Sequence, residues 1–439
     1  MRHRHGGRGL RRSLTAWVAP AVVALAVLSA CSAAPPGPPV LTWYTNPDDG
    51  GQAEIAKRCT EASGGRYTIA TSTLPRQASD QRQQLVRRLA ANDSSIDIMS
   101  LDPPYVPEFA QAGFLAPMPP AVEAAARDDR VPSSIEASTW RGKLVAVPFW
   151  ANTQLLWYRK SMVAAMGLDL SRPVTWDQVI DAASRARTGI AAQGVRGESL
   201  TVWVNALIES GGGSVITNVG EPDPDLVQLG LTQPPAIDAA RILRSFGDKG
   251  VALPGFPTAD EDTSSDLFQA GDAAFMVNYP FIWGKVKSAV EEGSAPRSTL
   301  DDYGWAIYPQ ARPDLPAAPP LGGINLGVGA FSAHPDLAYD ATTCIANPQN
   351  SAYYFVTNGN PSSRASVFTD PAVLAEFPMA PVIRDSLNQA KPRPQTAYYA
   401  EVSGGIQRTF HPPGSVVPGP TNEAAQNLIL AVLQKKALL

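Results

Sequence analysis

The chain has 439 residues, 44% of them hydrophobic, with 36 basic and 40 acidic side chains and a formal charge of −4. That length and apolar content suit two domains or one large two-lobed unit with real cores. An acidic balance without a basic stripe argues against a nucleic-acid partner.

The first twelve residues, MRHRHGGRGLRR, carry five arginines and no acid. From Leu14 to Ala30 the chain is almost wholly apolar, broken by Pro20, and shorter than the roughly 20 residues of a membrane span. A basic start, a short apolar run and small residues at Ser29 and Ala30 read as a secretory signal over 1–30. Leu28-Ser29-Ala30-Cys31 fits the bacterial lipobox, so Cys31 is the expected lipidation site and membrane tether. Arg11-Arg12 leaves Sec and twin-arginine export both open. The proline-rich stretch that follows, residues 31–38, reads as a stiff linker. Without the five signal arginines, 31 basic residues face 40 acidic ones, a charge of −9.

Val40 to Thr45 (VLTWYT) is a strand by its β-branched and aromatic content. The turn NPDDGG and a helix through Ala53 to Ala62 follow, then a second strand in RYTIATSTL. Ser79 to Ala91 is helical, with Ala78, Leu85 and Leu89 inward and Arg82, Arg87 and Arg88 outward. IDIMSLD, Ile96 to Asp102, is a short strand of the type buried on both faces, and PEFAQAGFL is the next helix. This alternation predicts a mostly parallel sheet. Trp140 to Lys160 makes two extended runs with a polar break at Asn152-Thr153. Helical patterns run from Trp176 to Glu209, Ala236 to Arg244, Ser264 to Ala270 and Thr421 to Leu439. AAFMVNYP and GGINLGVGAF are further strands, the latter leading into a helix that holds Cys344.

Cys59 and Cys344 remain after Cys31. An exported chain with one pair left suggests a disulfide, the alternative being two buried thiols. Sequence separation alone does not bring the Cα atoms together. No CxxC, HExxH or EF-hand spacing occurs, and His334 and His411 stand far apart, so no metal and no cofactor is expected.

Five stretches in order resemble the extracytoplasmic solute-binding proteins of carbohydrate ABC importers, of the maltose-binding type. They are WRGKLVAVPFWANTQLLWYRK, PVTWDQVIDAA, LFQAGDAAFMVNYPFIW, GGINLGVGAFSAHPDLAYDA and NGNPSSRASVFTDP. A closer likeness, in RCTEASGGRYTIA, LPRQASDQRQQLVRRLAAND, ANTQLLWYR, NALIESGGGSV, GGINL and RPQTAYY, is to the trehalose-binding lipoproteins of mycobacterial trehalose-recycling importers. This chain departs from them in carrying Tyr279 in place of a tryptophan and a shorter segment between Asn278 and Gly322. The resemblance implies an α/β, two-lobed periplasmic-binding-protein fold with a ligand cleft between lobes joined by crossing strands. The first lobe would be 39–152 plus 323–362, and the second 153–322 plus 363–439.

A sugar needs paired donors and acceptors for its hydroxyls and an aromatic face for its C–H surface. Asp102 ends a strand, where ligands of open α/β sheets gather, or else caps the helix after it. Asn152 interrupts an apolar crossing strand, as a binding or a turn residue. Glu261 precedes a helix, as a ligand acid or a solvated one. Asn278 and Tyr279 follow an apolar strand, and Tyr279 is read as a ring-stacking residue. By the resemblance Arg393, between two prolines, faces sugar hydroxyls. Gly323 would bring backbone close to the ligand or serve as a hinge. Asn46 and Trp203 complete the candidate set.

The function so implied is a lipoprotein that captures a disaccharide, trehalose first, and passes it to membrane-embedded ABC permease subunits. It would act as a monomer outside the membrane, anchored through Cys31. A maltodextrin or a glycerophosphodiester is the alternative cargo. A phosphorylated ligand would want a Lys/Arg cluster or a helix N-terminus. A glycosidase using Asp102 and Glu261 is the remaining reading, but no nucleophile elbow or P-loop supports an enzyme.

Overall fold

A computed structural model describes residues 37–439. The signal segment 1–30, the tether Cys31 and the linker up to residue 36 lie outside the described residues. In chain order the strands are β1 (Val40–Thr45), β2 (Thr68–Thr73), β3 (Ile98–Leu101), β4 (Thr139–Trp140), β5 (Lys143–Leu144) and β6 (Val147–Thr153). They continue as β7 (Leu155–Arg159), β8 (Gly189–Ala191), β9 (Ala273–Asn278), β10 (Tyr303–Ala306), β11 (Pro320–Val328) and β12 (Lys391–Pro392).

Two sheets organise the chain. The first has the order β12-β11-β3-β1-β2, with β6 paired to β11. β1 lies parallel to β2 and β3, as the βαβ alternation predicts. β11 enters antiparallel between β3 and β6, so the sheet is mixed rather than mostly parallel. The reason is the route: β11 arrives from the other sheet, not through a helix on the same face. β12, from the stretch expected in the second lobe, pairs parallel with β11 and so extends the first sheet. The second sheet has the order β10-β7-β9-β8. β4 and β5 form a small hairpin turned by Arg141 and Gly142, both at positive φ.

The helical stretch read from Trp176 to Glu209 is two helices with β8 between them. Thr175 opens the first, its hydroxyl accepting from Gln178 N at 3.2 Å while Gln178 Oε1 accepts from Thr175 N at 2.8 Å. Arg187 at φ 54 closes it. β8 is only three residues long, all buried, too short to show an alternation in sequence.

Three passages join the layers. β6 ends at Thr153 and β7 starts at Leu155, leaving Gln154 alone between sheets. Its amide donates to Gln193 Oε1 at 3.0 Å, and Gln193 donates in turn to Ser264 Oγ and to the Val277 carbonyl. The chain returns through β11, and leaves again after β12 into the helix Tyr399–Phe410. Gly323, on β11, has φ +117, and a Cβ there would meet the Trp150 carbonyl at 2.2 Å. The neighbouring strand β6 is enough by itself to demand a glycine here.

Each sheet is packed by its own helices. Trp43, Ile55, Phe149, Leu326 and Tyr354 fill the first core; Trp176, Trp203, Leu207, Phe246 and Phe275 fill the second. Between them Leu155, Trp157, Leu321, Phe355, Phe377 and Ile383 form a third cluster around the passages. Cys59, in the helix Gly51–Ala62, is bonded to Cys344, in the helix Pro335–Ile345, with Cα atoms 5.8 Å apart. Pro38–Leu439 forms one compact unit. Among the described residues no helix is long and apolar enough to cross a membrane.

Candidate functional site

The carboxyl end of β3 delivers Asp102. Pro103 and Pro104 open a single turn behind it, yet the Asp102 side chain makes no cap bond to that turn. Its carboxylate instead pairs with the guanidinium of Arg393, which follows β12. Arg393 reaches in the other direction to Glu198 Oε1 at 2.6 Å. Glu198 is the first residue of the helix Glu198–Ser210, whose apolar face belongs to the second core. One arginine thus holds a carboxylate from each layer.

The group is buried. The side chains of Asp102, Arg393 and Glu198 are 15%, 6% and 32% exposed. Burial pushes the Asp102 carboxyl up and Arg393 pulls it down, with a net rise. Burial works against the Arg393 charge, but Asp102, Tyr399 and Glu198 outweigh it and hold the guanidinium above its ordinary range. Glu198 also accepts from the Tyr399 hydroxyl and, at 3.1 Å, from Ser403 Oγ. Tyr399 meets Tyr105 edge to face at 5.5 Å, closing an aromatic wall beside the charges.

Glu261 opens the helix Glu261–Ala270, but Asp260 is the residue that caps it, accepting from Thr263 N at 2.8 Å. Glu261 is half-buried, accepts from Ser199 Oγ at 2.9 Å, and is pushed up by burial. The solvated-acid reading of Glu261 therefore fails. Tyr279 follows β9. Burial raises its hydroxyl, the charges of Glu261, Asp102 and Glu198 add to the rise, and that of Arg393 opposes it. Gly322 stands opposite Asn152 in the β11–β6 register, and a Cβ on it would lie 3.7 Å from Tyr279 Cε1 and 3.8 Å from Asn152 Cβ. Asn152 and Gly322 on the crossing strands are thus neighbours of Tyr279. Asn46, just past β1, has a buried Oδ1 with no hydrogen-bond partner among the described residues.

Two candidates do not belong to this group. Asn278 is fully buried and its amide is spent: Nδ2 donates to the Glu261 carbonyl at 2.8 Å and to Ser264 Oγ at 3.2 Å, and Oδ1 accepts from Tyr279 N. It fixes the position of Glu261 and Tyr279 instead of facing a ligand. Trp203 is 1% exposed and packs on Phe246 at 5.0 Å and Trp176 at 5.8 Å, inside the second core. It lies on the same helix as Glu198, five residues on, turned to the apolar side.

Sequence reading missed Glu198, Tyr105 and Tyr399. Glu198 had a signal, since Gly197-Glu198 stands just before the apolar run LTVWV. The two tyrosines had none, because nothing local distinguishes them from core aromatics. Among the described residues no group of His, Cys, Asp and Glu is arranged to hold a metal ion.

The site therefore offers three buried or half-buried carboxylates, one guanidinium, the amide of Asn152 and three tyrosines at the junction of two layers. It can hydrogen-bond several hydroxyls at once and cover an apolar ring face.

The model of the bacterial extracellular solute-binding protein family matches residues 70–352. A probable ABC transporter-binding protein of Deinococcus radiodurans is 25% identical over 362 residues, covering 78% of this chain and 81% of its own. A mannitol-binding protein of Pseudomonas aeruginosa is 25% identical over 345 residues, covering 72% and 71%. Among solved structures, maltose-bound T. maritima MalE3 aligns with a TM-score of 0.72 at 25% identity, over 91% of this chain and all of that one.

Proposed function

The chain belongs to the bacterial extracellular solute-binding proteins and has their two-lobed fold, and we propose that it is the sugar receptor of an ABC importer, with trehalose as its solute. The observation that carries this reading is the Asp102–Arg393–Glu198 group, in which one buried guanidinium is shared by carboxylates from both layers. A neutral polyhydroxyl entering there meets acceptors at Asp102, Glu198 and Glu261, donors at Arg393 and Asn152, and the ring of Tyr279. Unmatched polar groups in such a cleft cost roughly 1–3 kcal/mol each, which disfavours a sugar whose hydroxyls point elsewhere.

In this reading the lobes are 39–152 plus 323–362 and 153–322 plus 363–439, with β12 crossing back to the first sheet, and they hinge on the three passages. The solute captures their closed arrangement by binding it better than the open one. The closed receptor docks as a monomer on permease subunits, and a lipid on Cys31 keeps it beside them.

Charge separates the cargo classes. Three carboxylates to one guanidinium repel a phosphate, so a glycerophosphodiester is disfavoured. Maltose and short maltodextrins stay as the second reading, supported by the likeness to maltose-bound MalE3 and by Tyr279, which stands in place of a tryptophan in the trehalose-binding lipoproteins that the sequence resembles. A glycosidase is disfavoured because Asp102 is tied to Arg393.

The test is calorimetric titration of the soluble chain after Cys31 with trehalose, maltose, mannitol and glycerophosphocholine. Saturable trehalose binding, lost in Asp102→Ala and in Arg393→Ala, supports the reading. A signal for maltose or mannitol with none for trehalose overturns the cargo and keeps the receptor. Silence toward all four overturns both.

A further inference from the structure

A hydrogen-bonded chain of four side chains runs from the first passage between the sheets to the main chain of Glu261 and Tyr279. Gln154, Gln193, Ser264 and Asn278 are each no more than 1% exposed. Gln154 is the single residue between β6 and β7. β8 ends at Ala191, opposite Met276 on β9. Two residues on, the Gln193 side chain takes over from the ladder and donates to the Val277 carbonyl at 2.8 Å.

The direction of each bond follows from two carbonyls, which can only accept. Val277 O requires the amide nitrogen of Gln193 on its side, so Gln193 Oε1 faces Gln154 and accepts from its Nε2 at 3.0 Å. Gln193 Nε2 also donates to Ser264 Oγ at 2.9 Å. The Ser264 hydroxyl donates to the Glu261 carbonyl at 3.1 Å, which leaves its oxygen to accept from Gln193 and, at 3.2 Å, from Asn278. Asn278 donates to the same Glu261 carbonyl at 2.8 Å and accepts from Tyr279 N at 2.8 Å. From β7, Trp157 Nε1 donates to the Asn278 carbonyl at 2.9 Å.

Buried amides are costly unless their bonds are made, and a network so connected specifies one arrangement. An apolar side chain of similar volume could fill the place of Gln193, but it would set no direction. Glu261 and Tyr279 take their positions from main-chain atoms that this network grips. Gln193 itself is buried, with its amide protons given to Ser264 and Val277, so it has none to offer a solute.

We propose that Gln193 is a positioning residue of the solute site. Through Ser264 and Asn278 it sets where Glu261 and Tyr279 stand, and through Gln154 it ties them to the passage between the sheets. The role rests on the reading of Glu261 and Tyr279 as solute-binding residues.

The experiment titrates the soluble chain with trehalose, maltose and mannitol and carries forward a solute that binds. Gln193→Met keeps the volume of the side chain and removes its hydrogen bonds. The expected result is binding weakened roughly tenfold or more, because the shell that holds the site has been loosened. That loss should shrink to less than about threefold when Glu261→Ala is already present, and keep its full size beside Asp102→Asn, a residue this network does not hold. Unchanged affinity in Gln193→Met overturns the proposal. So does a loss of equal size in both backgrounds, which a merely structural role would give. Should Gln193→Met fail to fold, Ser264→Ala is put through the same comparison and decides. If the unaltered chain binds none of the three solutes, the reading of the site falls and this role with it. If the unaltered chain binds and Gln193→Met binds equally well, this role alone falls.

Discussion

Arg393 Nη1 stands 2.6 Å from Glu198 Oε1, joining residues 195 apart in sequence. Arg393 follows the strand that extends the first sheet, and Glu198 opens a helix of the second core. The contact is therefore one of the ties that set how the two layers meet. Removing one member of a buried ion pair strands the other, at about 3–5 kcal/mol. Arg393→Ala is expected to lower stability by roughly 3 kcal/mol, since Glu198 keeps some solvent, and to abolish solute binding. Arg393→Lys keeps the charge but not the fork that serves two carboxylates, and should lose binding by at least tenfold with a smaller stability cost. Urea unfolding and calorimetric titration read the two effects separately.

Tyr279 separates stacking from hydrogen bonding. A ring that covers a sugar face keeps most of its worth without the hydroxyl. Tyr279→Phe should bind the solute within a few-fold of the unaltered chain, and Tyr279→Ala at least tenfold more weakly. Equal losses in both variants would mean that the hydroxyl carries the contact.

Glu209 introduces a pH dependence. Burial pushes it up to about 7 from its ordinary 4.5, against a hydrogen bond from Ser214 and the charge of Lys391, with Glu136 adding to the rise. In the unfolded chain the group loses its proton near the ordinary value, so between that value and 7 the folded chain holds the extra proton. Its favourable share is complete below about 4.5 and is lost as pH rises through 7, a difference of roughly 3 kcal/mol at most. Glu209→Gln should remove this slope, so that the variant is the more stable of the two at pH 8. Denaturant unfolding at pH 5 and pH 8 compares them.

Gly323→Ala tests the close approach of β6 and β11. The residue has φ +117 and an added Cβ would meet the Trp150 carbonyl at 2.2 Å. Strain and overpacking together should cost about 2–4 kcal/mol. A melting temperature within a degree of the unaltered chain would show that the strands part easily at this point.

The Cys59–Cys344 bond ties two helices of the first core across 285 residues. Cys59→Ser with Cys344→Ser should lower stability by about 2–5 kcal/mol. Solute affinity should change little, because neither residue lies near Asp102 or Tyr279. Unfolding under oxidising conditions, paired with titration, checks both parts.

Much of the first sheet was legible because its signals are local. VLTWYT and IDIMSLD carry β-branched and aromatic runs between turn residues, and Asp102 stands where an apolar strand stops. The break at Asn152-Thr153 marked a passage between layers to within two residues, since a polar residue in an apolar crossing strand is conspicuous. The three-residue strand β8 was not legible, because its length carries no period, and the antiparallel entry of β11 was not, because direction is set by the route of the whole chain.

For the site, the chain's own pattern determined that Asp102, Glu261 and Tyr279 end or open elements, and Cys59 and Cys344 stood out as a pair by count. Which side chains share a space was decided only by the tertiary structure. It brought Glu198 and Tyr399 to Arg393, turned Trp203 into the core and used up the amide of Asn278. The physical reason is range. Strand and helix signals act over a few residues, whereas a buried charge finds its partner through the packing of layers 195 and 291 residues apart in sequence.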